Sequence, residues 1–68
     1  MEFMNAFLEM KNEKIIARKK WINRYLILKD ERILDVCTDS RTVINYILDI
    51  EDLISDDWEL WSKECQMK

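Results

Sequence analysis

The chain has 68 residues, 49% of them hydrophobic and 37% charged, with no glycine, proline or histidine and a net charge of −3. Lack of histidine removes Ser/His/Asp and Cys/His nucleophiles, lack of glycine removes the usual phosphate-cradling loop, and no apolar run reaches the roughly 20 residues that span a bilayer. A domain this short buries only about 60% of the surface its unfolded form exposes, and Cys37 and Cys65 fall short of a disulfide framework or a structural zinc site, so self-association is the expected source of further stability.

Taken in chain order, residues 3–12 read as a helix. Phe3, Ala6, Phe7 and Met10 recur at helical spacing, and Asn12 is the expected left-handed residue at its end. From Lys14 the pattern changes to β-branched runs, with strands expected at 14–20, 23–29, 32–38 and 42–49 and a short last one at 58–62. With no Gly or Pro, the turns fall to Asn12, Asn23, Asp30 and Asp39. The second strand is apolar on both faces, Tyr25 and Ile27 on one and Leu26 and Leu28 on the other, which suits a central or interfacial strand. Ile44, Tyr46, Leu48 and Ile50 form one apolar face of the fourth. Residues 40–55 also fit a helical stripe through Val43, Ile47, Ile50 and Ile54, so their pattern alone leaves strand and helix open. Residues 1–62 form one α+β domain, an N-terminal helix packed on a small antiparallel sheet of four to five strands, and residues 63–68 read as a flexible tail.

Charge is unevenly placed. Residues 1–34 carry eight basic and five acidic side chains, residues 35–68 three basic and nine acidic. Lys14, Arg18, Lys19, Lys20 and Arg24 form a run without an acid, opposed by Asp49, Glu51, Asp52, Asp56, Asp57 and Glu59. Either the two sets pair on folding, or the basic strand binds an anion beside an acidic segment that accepts hydrogen bonds from a ligand. The imbalance is too small for direct nucleic-acid binding. Trp21 either covers the core edge or stacks a nucleobase. Arg18 either grips a phosphate or pairs with Asp56, and it shares a ligand with Trp21 only if a bulge or twist intervenes near Lys19-Lys20. Trp58 reads as core or interface. No catalytic residue, metal ligand or cofactor is expected.

Two blocks carry a resemblance: Ile16-Ala17-Arg18-Lys19-Lys20-Trp21, and Asp52-Leu53-Ile54-Ser55-Asp56-Asp57-Trp58-Glu59. Behind a helix containing Ala6-Phe7 and Met10-Lys11, they make the chain resemble the second Thoeris anti-defence type, small phage proteins that act as sponges for cyclic ADP-ribose-like immune signals. The resemblance spans residues 3–60, with Glu13 where the family usually has glycine and a shorter connection between the second and fourth strands. It implies a strand ending near Asp49, then a helical turn at Glu51–Ser55 capped by Asp49. It also implies a homotetramer, or at least a dimer, that holds the intact nucleotide between subunits in the host cytoplasm without cleaving it. The residues assigned to the ligand are Arg18, Trp21, Tyr25, Asp56 and Trp58. The alternative, from another class, is an anti-CRISPR-like protein that binds and inhibits a host defence nuclease.

Overall fold

The computed structural model describes residues 1–61; the expected tail, the last residue of the expected final strand and Cys65 lie outside them. Helix α1 (Phe3–Lys11) buries Phe3, Ala6 and Met10, the stripe its spacing dictates. Its end has the hydrogen bonds of a Schellman motif: Glu13 N–H donates to the Met10 carbonyl (2.9 Å) and Lys14 N–H to the Glu9 carbonyl (3.1 Å). The left-handed residue is Glu13 (φ 65°), whereas Asn12 sits at φ −96°. The expected position was therefore one residue early, because the motif places its left-handed residue just beyond the cap. Glu13 is also where the resembled family has glycine.

Five strands follow: β1 (Ile16–Arg18), β2 (Arg24–Lys29), β3 (Arg32–Cys37), β4 (Thr42–Asn45) and, after the short helix α2 (Ile50–Ile54), β5 (Trp58–Leu60). They form one antiparallel sheet in the order β4-β3-β2-β1-β5. Strand β2 lies at its centre, as its two apolar faces require. Strand β1 is shorter than the expected 14–20 because a turn at Lys19-Lys20 ends it, closed by Trp21 N–H to the Arg18 carbonyl (3.0 Å). The two alternatives for residues 40–55 both occur, in succession. Strand β4 stops at Asn45, and α2 begins after Asp49, whose carboxylate accepts the Glu51 N–H (3.1 Å). The expected apolar face of the fourth strand breaks up accordingly: only Ile44 of that set lies in β4, and Leu48 and Ile50 are exposed. Among the described residues no helix is long and apolar enough to cross a membrane.

Strand alternation fixes the two sheet faces. Ile16, Leu26 and Trp58 point toward α1 and form the core with Phe3, Ala6 and Met10. Tyr25, Ile27, Leu34 and Val36 point the other way and stay half-buried.

The β2–β3 hairpin turns through Asp30-Glu31 with both residues at positive φ (51° and 63°), between the paired Lys29 and Arg32. This is a type I′ turn, whose second position favours glycine. Asp tolerates the left-handed region, but Glu31 carries a steric cost of about 1 kcal/mol. Glu31→Gly is expected to stabilise the fold by about 1 kcal/mol, raising Tm by roughly 4–8 °C, while Glu31→Ala gives no comparable gain. Thermal unfolding followed by circular dichroism decides it; equal Tm values for the Gly and Ala variants would show that the turn is not strained.

Candidate functional site

On the helix side of the sheet, Arg18 ends β1 facing the core and is only 5% exposed. A guanidinium is always charged, so burial has to be matched by acceptors. Its Nε and Nη2 donate to the two carboxylate oxygens of Asp57 (2.8 and 3.3 Å), a bidentate fork. Its Nη1 donates to Asp52 (2.8 Å) and Glu51 (3.1 Å). Asp52 is itself buried and accepts the Tyr46 hydroxyl (2.6 Å) on its other oxygen. Lys20 closes the cluster from solvent, its ammonium 2.6 Å from Glu51.

The electrostatics follow from these contacts. The Asp57 and Glu51 carboxyls are held below the usual carboxylate range, Asp57 by its hydrogen bonds to Arg18 and Glu51 by Lys20 and then Arg18. Burial, then the bond to Asp52, pushes the Tyr46 phenol above its ordinary value. The Arg18 guanidinium is raised further, chiefly by Asp57.

Trp58 lies beside this cluster, 2% exposed, and its indole N–H donates to the Asp52 carbonyl (2.9 Å). Phe3 and Trp21 meet it edge-on at ring-centroid distances of 5.3 and 5.2 Å. Trp21 is half-buried, and the Arg24 guanidinium carbon stands 3.9 Å from its ring centroid, a cation–π contact. Arg24 is anchored from behind by a two-point pair with Asp35 (3.0 and 2.7 Å). The layer is thus an aromatic face covered by one guanidinium, above a second guanidinium saturated by carboxylates.

Arg18, Trp21 and Trp58 come together. The turn at Lys19-Lys20 achieves what a bulge was expected to do, reversing the chain so that Trp21 returns to the side of Arg18. The Arg18 partner is Asp57; the Asp56 side chain points to solvent, so the expected Arg18–Asp56 pair is not formed. Tyr25 lies on the opposite face, stacked on Trp61 at 4.3 Å between centroids. Sequence reasoning named Arg24 and Asp52 only as members of the opposed basic and acidic sets, and it did not bring Asp35 or Tyr46 into this layer. One signal was available: Arg24 alternates with Leu26, so a charge on the core-facing side of β2 requires a buried partner.

A sequence profile of the Thoeris anti-defense 2-like domain matches residues 1–61. No match to an individual curated protein accompanies it. The ion cluster generates two measurable expectations. Arg18→Met is expected to destabilise the fold by about 3 kcal/mol, since it strands the buried Asp52 carboxylate while Asp57 and Glu51 remain partly hydrated; urea unfolding measures this, and a loss below about 1 kcal/mol would mean the cluster is not a structural pin. The second concerns acid. Carboxyls depressed in the folded state add stability that is fully present above their unfolded values near pH 4 and lost as pH falls through the folded ones. Unfolding free energy is expected to drop from pH 5 toward pH 2.5, and to drop less steeply in Arg18→Met. Parallel pH profiles for the two proteins would refute the assignment.

Proposed function

The chain belongs to the Thoeris anti-defence 2-like family, and from that premise we propose that it counters Thoeris immunity by sequestration. In this reading it binds a cyclic nucleotide signal, a cyclic ADP-ribose isomer or a cyclic dinucleotide, and keeps it intact and away from its receptor in the host cytoplasm. The observation that carries the proposal is the half-buried Trp21 ring with Arg24 over its face. A purine stacks on the outer plane of the Arg24 guanidinium, which Asp35 anchors and the Trp21 ring backs, at a gain of about 1–3 kcal/mol. Exposed Lys19 flanks it and suits a phosphate, whereas Lys20 is paired with Glu51. Arg18 and Trp58 support the layer from beneath, with the Arg18 donors directed to the chain's own carboxylates.

Tyr25 joins this site only from another subunit, because it occupies the far face of the sheet from Trp21. The proposal therefore includes a dimer or tetramer with the nucleotide between chains. The competing reading, a protein-binding inhibitor that uses its acidic segment, has less to work with: Glu51, Asp52 and Asp57 are engaged by Arg18 and Lys20, leaving Asp49, Asp56 and Glu59 exposed.

Purified protein is incubated with cyclic ADP-ribose isomers and cyclic dinucleotides, desalted, then heated, and the released material is resolved by chromatography. Intact nucleotide in near-stoichiometric amount is expected, with at least a 10-fold weaker affinity in Trp21→Ala, the loss of one stacked base. Release of nothing, or of a cleaved product, refutes sequestration. Capture of a defence nuclease in its place supports the competing reading. Light scattering at low micromolar concentration is expected to give two or four times the 8.4 kDa chain mass; a stable, cooperatively folded monomer removes the inter-subunit site.

A further inference from the structure

We propose that the outer edge of β4 is a subunit interface, in which β4 pairs antiparallel with β4 of a second copy across a two-fold axis at Ile44. The two five-stranded sheets then become one continuous sheet. The proposal rests on the self-association included in the preceding reading and assigns it a surface.

The two edges of the sheet differ. On β5, the bonds from Lys19 N–H to the Asp57 carbonyl (3.0 Å) and Trp61 N–H to the Ile15 carbonyl (2.7 Å) set the ladder phase, so Trp58 turns its backbone groups outward. Those groups are covered by the chain itself: Trp58 N–H donates to the Met1 carbonyl (3.1 Å), and the Trp58 carbonyl accepts from the Met1 nitrogen (2.7 Å). On β4, the bond from Tyr46 N–H to the Ile33 carbonyl (2.9 Å) sets the phase, so Thr42 and Ile44 face β3 while Val43 and Asn45 face outward. Among the described residues no backbone hydrogen bond reaches those two outward positions.

Free edge strands in soluble proteins are ordinarily blunted by charge, proline or a bulge. Nothing of the kind occurs here. Residues 42–48 carry no charge, and Val43 and Ile44 are 56% and 58% exposed, one on each face of the strand. In a chain of net charge −3, a neutral strand is where two copies approach without repulsion.

The edge is also self-complementary. With the axis at Ile44, Val43 of each copy lies opposite Asn45 of the other, and these outward pairs exchange four hydrogen bonds. Ile44 meets its own symmetry mate at a non-hydrogen-bonded position, where side chains approach most closely and β-branched pairs pack well. A peptide from another protein satisfies the same hydrogen bonds, but it matches both the spacing and the central apolar residue only by coincidence, whereas a second copy does so by symmetry.

The test uses the full chain with Cys37→Ser and Cys65→Ser as background. Ile44→Cys places two thiols at a site of Cα separation near 4.5 Å, within disulfide range, so mild oxidation is expected to give a covalent dimer in high yield. Val43→Cys is the register control and is expected not to cross-link to its own mate. In the unmodified chain, Ile44→Lys sets two like charges on the axis and is expected to weaken self-association at least 10-fold by light scattering on dilution, with a cooperative thermal transition retained. If Ile44→Cys fails to cross-link while the parent protein is oligomeric, the interface lies elsewhere and self-association survives. If the parent is monomeric, both fall. If cross-linking succeeds but no nucleotide is retained, sequestration fails and the interface stands.

Discussion

A buried guanidinium is the constraint around which this small fold is arranged. Removing Arg18 from water costs several kcal/mol unless carboxylates replace its hydration, and all of its partners come from one stretch, Glu51 to Asp57. The chain after β4 therefore leaves the sheet and crosses to the far edge, carrying its acids to the end of β1. Trp58 completes the arrangement by pairing opposite Arg18 in the ladder and donating its indole N–H to Asp52. The basic-aromatic block at residues 16–21 and the acidic-aromatic block at 52–59 are two halves of a single contact. Their separation in the chain is the length needed to build three strands in between.

The absence of glycine gives the fold a second character. Glu13, Asn23, Asp30, Glu31 and Arg41 all occupy the left-handed region. Asn and Asp accept it at modest cost, but Glu13 and Glu31 do so only because hydrogen bonding around them is complete enough to hold them there. The six-pair β2–β3 ladder holds the Glu31 turn, and the Schellman bonds hold Glu13. Strain of this kind, in a domain whose core among the described residues is a cluster of six buried apolar side chains, leaves a thin stability margin. A fold with that margin gains from any surface it shares with a second copy.

The helices serve one face of the sheet only. Beneath them lie the Arg18 cluster and the Trp21–Arg24 layer; on the other face Tyr25 and Trp61 stack on each other among half-buried aliphatics. The division is not one of charge, since Lys29, Arg32 and Glu59 alternate onto that second face.

Several features were legible in the residues alone. The α1 stripe follows from 3.6-residue spacing, the β2–β3 hairpin from two apolar runs around Asp30-Glu31, and the central place of β2 from its two apolar faces. These are local or periodic signals, and backbone geometry converts them directly into structure. What tertiary structure alone decided is of a different kind. The Lys19-Lys20 turn has no turn-forming residue; it exists because Trp21 packs on Trp58. Strand β4 ends at Asn45 although its β-branched pattern continues, because Tyr46 bonds to Asp52. The choice of Asp57 over Asp56 is invisible in composition, since adjacent aspartates are chemically identical. It is made by the β1–β5 register, which sets Trp58 opposite Arg18 and leaves one neighbouring carboxylate within reach. With 14 acids and 11 bases in the chain, charge pairing is degenerate in sequence, and only the three-dimensional position of each backbone segment removes the degeneracy.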